Sequence, residues 1–168
     1  RVFKKHMINI ELNDFIKVYE PINFNYWKLF REDKVNKKEL RRGRLIEAFN
    51  TFNLNFTLRN IDIFADSYID ELPKDNHLFS GAELILEYLA EKYVLHIITN
   101  GFKEVQHLKL KNSGIKKHFS TVTTSEEIGF KKPNPLIFNS ALKKANVNAS
   151  NSIMIGDTFE ADILGAEA

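Results

Sequence analysis

Apolar and polar positions divide the chain into two parts with different periodicities. From Leu12 to Tyr68, apolar residues recur at intervals of three and four, which is typical of amphipathic helices. Three such stripes are formed by Phe15, Val18, Ile22, Tyr26 and Leu29, by Leu40, Leu45, Ile46 and Phe49, and by Ile61, Phe64, Ala65 and Tyr68. Pro21 lies inside the first stripe, so we expect a kink or break near Glu20. We therefore predict a small helical domain over residues 1–75.

The periodicity changes between residues 71 and 79, where we place the domain boundary. Short apolar runs then alternate with helical patterns, and the predicted strands are VLHIIT, FSTVTTS and SIMIG. Asn134 is a plausible helix cap, with Pro135 at the first helical position. Strands that alternate with helices at this spacing indicate a parallel sheet with helices on both faces. Residues 76–168 are therefore predicted to form a Rossmann-like, three-layer α/β core with buried strands.

Composition narrows the class of protein. Hydrophobic content of 43% and charged content of 27% in 168 residues describe an ordinary soluble globular protein. Cys is absent, which excludes disulfides and thiolate chemistry and fits a reducing, cytoplasmic compartment. No apolar run has the length of a membrane span or the pattern of a signal peptide, so no membrane partner is expected.

The charge pattern gives no indication of a nucleic-acid partner. The formal net charge is +2, and basic and acidic residues are interspersed along the chain. The densest basic group is interpreted as a solvated helix face; it comprises Lys37, Lys38, Arg41, Arg42 and Arg44. We interpret the lone histidines, including His96 and His107, as structural.

Polar residues follow the first predicted strand of the α/β half. Thr99, Asn100 and Gly101 combine a hydroxyl with backbone N–H groups close to the start of the next helix. Such a loop can bind a dianion at the carboxyl end of a parallel sheet. Asn-Gly is also a common turn, so the loop alone does not establish a binding site.

Two further segments offer charged side chains at predicted strand ends. Lys132 precedes Pro133, and an extended conformation before proline would aim its ammonium group across the sheet edge. Asp157 directly follows the strand SIMIG, and Asp162 follows at the start of a helix. Carboxylates in these positions suit Mg²⁺, which prefers oxygen ligands. The alternatives are a solvated lysine pair and a first-turn carboxylate that interacts with the helix dipole.

The order of these motifs resembles the haloacid dehalogenase-like hydrolase superfamily. The resemblance rests on IITNGF, SEEIGFKKPNP and MIGDTFEADILGA, and it covers essentially the whole chain. These segments are especially similar to the branch of 5′-nucleotidases that act on pyrimidine nucleoside monophosphates. The helical half would then be the cap domain that this family inserts into its α/β core.

The resemblance implies a role for each candidate residue. Thr99 would bind the phosphoryl oxygens together with the backbone N–H groups of Asn100 and Gly101. Lys132 would neutralise charge on the nucleophile and the phosphate. Asp157 would bind Mg²⁺, and Asp162 would support the metal site. The substrate would be a small phosphomonoester, such as a nucleoside monophosphate.

The sequence departs from the family pattern at the nucleophile. The family attacks phosphorus with the first aspartate of an Asp-x-Asp motif, which follows an apolar strand and forms an aspartyl-phosphate. No such motif precedes Thr99, and Asp62 and Asp66 lie four residues apart in a helical pattern. We therefore expect the nucleophile upstream of Arg1, further sheet elements after Ala168, and no phosphatase activity in residues 1–168 alone.

Substrate choice is expected to depend on the helical half. Four side chains at helical spacing could contact a nucleobase or a phosphate: Tyr19, Asn23, Trp27 and Arg31. The same stripe could equally be core packing. Other readings remain open, namely a sugar-phosphate phosphatase or mutase, or a non-catalytic protein that binds phosphorylated ligands or a partner. A dehalogenase is disfavoured because its chemistry leaves Asp157 and Asp162 unexplained. Base preference and oligomeric state do not follow from the sequence.

Overall fold

The computed structural model describes all 168 residues, Arg1–Ala168. Contacts between residues divide the chain into two units, Arg1–Leu72 and Pro73–Ala168.

Four helices form the first unit, and local side chains define where they start. They are α1 (Val2–Lys5), α2 (Leu12–Arg31), α3 (Lys37–Thr51) and α4 (Leu58–Glu71). Asn36 caps α3 in a reciprocal arrangement: its side chain accepts the Glu39 N–H at 3.0 Å, and the Glu39 carboxylate accepts the Asn36 N–H at 2.7 Å. The Thr57 hydroxyl caps α4 by accepting the Asn60 N–H at 3.2 Å.

Helix α2 runs without interruption through Pro21, so a break near Glu20 is wrong, whereas a kink there stays a prediction. Proline removes one backbone hydrogen bond from a helix interior. Here α2 packs against α3, and it buries Phe15 and Phe30 on either side of the proline. Burial of these two side chains offsets the loss of one hydrogen bond.

An aromatic cluster forms the centre of the helical unit. Phe49 is 1% exposed, and its ring centroid lies 5.3 Å from that of Phe15 and 5.0 Å from those of Phe56 and Phe64. The Phe56 and Phe64 rings meet it edge to face, a favoured arrangement for aromatic pairs. Each of the three predicted stripes contributes buried residues to the unit, so the helical periodicity identified the core of this half.

Arg44 is buried, which contradicts its assignment to a solvated face. It is 3% exposed because it lies on the same face of α3 as Leu40 and Ala48, which are both fully buried. Its guanidinium carbon lies 5.9 Å from the Tyr19 ring centroid and 5.4 Å from the Tyr68 ring centroid. The aromatic rings therefore cover a cation that the charge pattern alone assigned to solvent.

The second unit alternates helices and strands, as predicted. Its helices are α5 (Ala82–Ala90), α6 (Lys103–Asn112), α7 (Ser125–Ile128), α8 (Pro135–Ala145) and α9 (Leu164–Glu167), and its strands are β1 (Leu95–Thr99) and β2 (Phe119–Thr124). Short 3-10 turns cover Ile115–His118 and Ala149–Asn151, and a π-helical turn covers Phe159–Ile163. The predicted cap of α8 is confirmed, because the Asn134 side chain accepts the Leu136 N–H at 2.9 Å. No helix of the structure combines the length and the apolar character that a bilayer span requires.

The two strands are parallel, which brings their carboxyl ends to one edge. Thr99 at the end of β1 pairs with Thr124 at the end of β2. Because the two paired strands run in the same direction, the polar loops that follow them lie at the same edge of the sheet. β1 is half-buried along its whole length, so the prediction of a fully buried strand is wrong for it.

The segment SIMIG is not a strand, contrary to the prediction. Ser152 has extended backbone angles, but residues 152–156 pair with neither β1 nor β2. Ile153 and Ile155 are 86% and 80% exposed. An extended segment needs a hydrogen-bonded neighbour to count as a strand, and no neighbouring strand is present in residues 1–168.

We expect Phe49→Ala to destabilise the helical unit strongly. The substitution removes a ring from the centre of the aromatic cluster, and losses of this kind cost about 3–5 kcal/mol. Phe24→Ala is the matched control, because Phe24 lies on α2 and is 65% exposed. Denaturant unfolding should show a change within about 0.5 kcal/mol for the control. Equal losses for the two variants would contradict this description of the core.

Candidate functional site

The loop after β1 orients the hydroxyl group of Thr99. Its oxygen accepts the Gly101 N–H at 3.0 Å, which leaves the hydroxyl proton available for donation. The same bond engages the Gly101 N–H, which was predicted to bind phosphate. A Cβ added to Gly101 would lie 1.9 Å from the Gln106 side-chain nitrogen, so a larger residue would require Gln106 to move.

The side chain of Asn100 joins this loop to the segment that carries Lys132. Its amide nitrogen donates to the Lys132 carbonyl at 2.9 Å, and its amide oxygen accepts the Lys132 N–H at 2.8 Å. These two bonds satisfy both backbone polar groups of Lys132 with one side chain. They fix the start of the lysine side chain beside the Thr99 loop, although the two residues linked are 32 positions apart.

Lys132 also forms an ion pair with Asp162. Its Nζ lies 2.5 Å from Asp162 Oδ1, and the two side chains are only 12% and 5% exposed. Asp162 Oδ2 accepts the Thr158 N–H at 3.1 Å. A Cβ at Gly156 would lie 2.3 Å from the Asp162 carboxylate carbon, so the glycine leaves room for this carboxylate. The buried ion pair therefore fixes the ammonium group at the end of the lysine side chain.

Asp157 differs from Asp162 in its surroundings. It is exposed, and it makes no side-chain hydrogen bond or ion pair. The prediction that Asp157 follows a buried strand is wrong, because residues 152–156 are exposed apart from the half-buried Met154. Its two carboxylate oxygens are therefore available to an incoming ligand.

The oxygen donors present fit a hard divalent cation. Mg²⁺ binds through one or two carboxylates and retains several waters. Asp157 offers an unengaged carboxylate, one residue from the glycine that lies against Asp162. Both oxygens of Asp162 already accept a hydrogen bond. Asp162 is thus suited to fixing the surroundings of a cation bound by Asp157.

Sequence reasoning missed Ser125, whose side chain hydrogen-bonds to the loop after β1. Ser125 is 3% exposed, and its hydroxyl donates to the Asn100 carbonyl at 3.4 Å. It directly follows β2, so the rule that polar groups gather at the carboxyl ends of parallel strands could have identified it.

Two of the candidate substrate residues contact Arg44 in the helical unit. The Asn23 side-chain oxygen accepts from Arg44 at 2.7 Å, and the Tyr19 ring lies under the guanidinium group. The Tyr19 hydroxyl is buried, and burial raises the pKa of this phenol well above its usual range. The Trp27 ring packs edge-on against Phe30, and Arg31 is half-buried at the end of α2.

Two further arginines of α3 form ion pairs with α4. Arg41 pairs with Asp66, and Arg42 binds both carboxylate oxygens of Asp62. The hydrogen bonds from Arg42 lower the pKa of Asp62. Both aspartates lie in the middle of α4, so their helical setting agrees with their rejection as the missing nucleophile.

We expect Asp162→Asn to destabilise the α/β unit. The amide can still accept the Thr158 N–H, but it leaves the Lys132 ammonium group buried without a counter-charge. Breaking a buried ion pair in this way costs about 3 kcal/mol. Asp157→Asn is the matched control and should change the free energy of unfolding by less than about 0.5 kcal/mol. Equal effects of the two variants in denaturant unfolding would contradict the assigned geometry.

Comparison with known proteins finds sequence relatives and a similar solved structure. The pyrimidine 5′-nucleotidase YjjG of Escherichia coli (strain K12) is 30% identical over 166 residues, which is 98% of this chain and 71% of that protein. The pyrimidine 5′-nucleotidase PynA of Streptococcus pneumoniae is 31% identical over 149 residues, which is 88% of this chain and 62% of that protein. The crystal structure of the putative HAD-hydrolase YfnB from Bacillus subtilis, bound to magnesium, superimposes with a TM-score of 0.90 at 27% identity. The superposition covers 99% of this chain and 73% of the YfnB chain.

These similarities agree with the resemblance found in the motifs. The named relatives support the 5′-nucleotidase-like branch, and the superposition confirms an α/β core with a helical cap. The family model for haloacid dehalogenase-like hydrolases matches residues 4–168. The chain therefore belongs to the haloacid dehalogenase-like hydrolase family.

Proposed function

We propose that the protein containing this chain is a Mg²⁺-dependent phosphatase that hydrolyses nucleoside monophosphates. The observation that carries this proposal is the pair of hydrogen bonds from Asn100 to Lys132, beside the Thr99 loop. They link the Lys132 backbone to the loop that carries Thr99, which supports a site that combines a hydroxyl donor with an ammonium group. That combination suits a phosphoryl group, whose transfer depends mainly on positioning and charge stabilisation.

Thr99 and Lys132 would contact the phosphoryl oxygens. The Thr99 hydroxyl can donate outward because its oxygen already accepts the Gly101 N–H. The backbone N–H of Asn100 would add a second donor, and the Gly101 N–H would have to be shared with Thr99. The Lys132 ammonium group has three donors, of which Asp162 uses one. The remaining donors can neutralise charge on the phosphate and on the group that attacks it.

Asp157 would hold Mg²⁺, with Asp162 in support. When bound, the ion would neutralise the charge that develops on the phosphoryl oxygens. The exposed, unpaired carboxylate of Asp157 supports this assignment, as does the magnesium bound by the similar Bacillus subtilis protein YfnB. Asp162 would keep Lys132 oriented through their ion pair while the cation is bound by its neighbour.

The attacking group in this proposal is an aspartate outside residues 1–168. Its carboxylate oxygen would form a bond to phosphorus as the ester oxygen leaves and takes a proton, and water would then hydrolyse the aspartyl-phosphate. The exposed residues Ile153 and Ile155 support a further strand, because their apolar side chains have no cover within this chain. Such a strand would end at the same edge as Thr99.

The helical unit would select the substrate. We propose that Tyr19, Asn23, Trp27 and Arg31 contribute to recognition of the nucleoside or its phosphate. Tyr19 supports this, because burial keeps its hydroxyl protonated and therefore able to donate a hydrogen bond. Asn23 is already bonded to Arg44, so its effect would depend on that arginine.

The experiment that tests the proposal is a phosphate-release screen of the full-length protein. The panel should contain pyrimidine and purine nucleoside monophosphates and sugar phosphates, each with Mg²⁺ and with chelator. We expect Mg²⁺-dependent release, with the highest kcat/KM for a nucleoside monophosphate. Preference for a sugar phosphate would replace the substrate assignment, and no release from any ester would overturn the proposed function.

Asp157→Asn should abolish Mg²⁺-dependent turnover in the same assay. The amide cannot supply the charge that a divalent ion requires, so we expect a loss of at least about a hundredfold, as for removal of a key electrostatic group. Asp75→Asn is a control for loss of an exposed carboxylate elsewhere in the unit and should retain activity. Retained activity in Asp157→Asn would show that the metal site is assigned to the wrong residue.

A further inference from the structure

A second group of potential metal ligands lies away from the candidate active site. Glu83 and Glu87 are four residues apart on α5, so they share one face of the helix. His118 ends the 3-10 turn Ile115–His118, which packs against α5. One ligand atom from each of the three side chains lies within 4.8 Å of the others. This spacing allows a single ion to contact all three residues.

The imidazole of His118 has an unsatisfied nitrogen. Its Nε2 atom is buried and makes no hydrogen bond. Buried polar atoms in proteins nearly always have a partner, so this atom requires an explanation. A neutral imidazole nitrogen is the commonest protein ligand for transition metals. The two glutamates are exposed, so a hydrated ion can reach the group from solvent.

The position of this group separates it from the phosphate-binding edge. His118 precedes the first residue of β2, whereas Thr124 ends that strand beside Thr99. At about 3.3 Å per residue, β2 places roughly 16 Å between the two ends. An ion bound here would therefore make no contact with Thr99.

We propose that Glu83, Glu87 and His118 form a binding site for a divalent transition metal such as Zn²⁺. One imidazole and two carboxylates make a mixed nitrogen and oxygen set, which suits Zn²⁺ and is poor for Mg²⁺. Water would complete the coordination. The ion would connect α5 to the turn that starts β2.

Lys117 competes with the metal for Glu83. Its Nζ lies 3.2 Å from Glu83 Oε1, and both side chains are more than half exposed. Exposed ion pairs of this kind contribute little, so a divalent ion can displace the lysine. Removing Lys117 should therefore strengthen metal binding, which would not be expected of adventitious binding elsewhere on the surface.

The test is a calorimetric titration of the chelator-treated, full-length protein with Zn²⁺, in excess Mg²⁺ to occupy the proposed catalytic site. We expect one Zn²⁺ per chain at this site. Its Kd should weaken at least about tenfold in Glu87→Gln and in His118→Gln, since each variant removes one of three ligands. It should tighten severalfold in Lys117→Ala. His107→Gln is the control and should bind as the unmodified protein does.

A second measurement separates loss of the site from loss of folding. Zn²⁺ should raise the Tm of the unmodified protein and of Lys117→Ala, because a ligand that binds the folded state stabilises it. The Tm of His118→Gln should not respond to Zn²⁺. Equal Zn²⁺ affinity in the unmodified protein, Glu87→Gln and Lys117→Ala would overturn the proposal, and so would the absence of Zn²⁺ binding.

Discussion

The hydrogen bonds between the Asn100 side chain and the backbone of Lys132 hold the candidate site together. They join the loop after β1 to the segment before α8, and they satisfy two backbone groups that would otherwise need other partners. The ion pair with Asp162 then fixes the far end of the lysine side chain. The flexible lysine side chain is thereby held at both ends, which reduces the conformational entropy that is lost when its ammonium group binds an anion.

The two units use buried polar groups in different ways. In the α/β unit, Lys132 and Asp162 compensate each other's charge. In the helical unit, the Arg44 guanidinium group is covered by tyrosine rings and bonded to the neutral Asn23. The first arrangement can respond to an incoming anion, because Asp162 leaves two lysine donors unused. The second contributes to the internal packing of the helices, with the aromatic cluster around Phe49 as its apolar counterpart.

Periodicity and turn chemistry predicted most of the elements of the fold. Helices α2, α3 and α4, strands β1 and β2 and the Asn134 cap all follow from local sequence. The prediction of a strand at SIMIG was wrong because an apolar run has the composition of a strand but needs a hydrogen-bonded neighbour to form one. The prediction that Arg44 is solvated was wrong because its burial depends on aromatic rings from α2 and α4. The Asn100 bridge could not be predicted, since it joins side chain to backbone across 32 residues.

The most direct test of this account is to measure the coupling energy between Asn100 and Lys132. A double-mutant cycle of Asn100→Ala and Lys132→Ala, read as kcat/KM for phosphate release by the full-length protein, isolates it. If Asn100 acts by positioning the lysine, each single variant should lose activity and the double variant should lose little more than Lys132→Ala alone. Losses that add fully in the double variant would contradict the account, because the two side chains would then act independently.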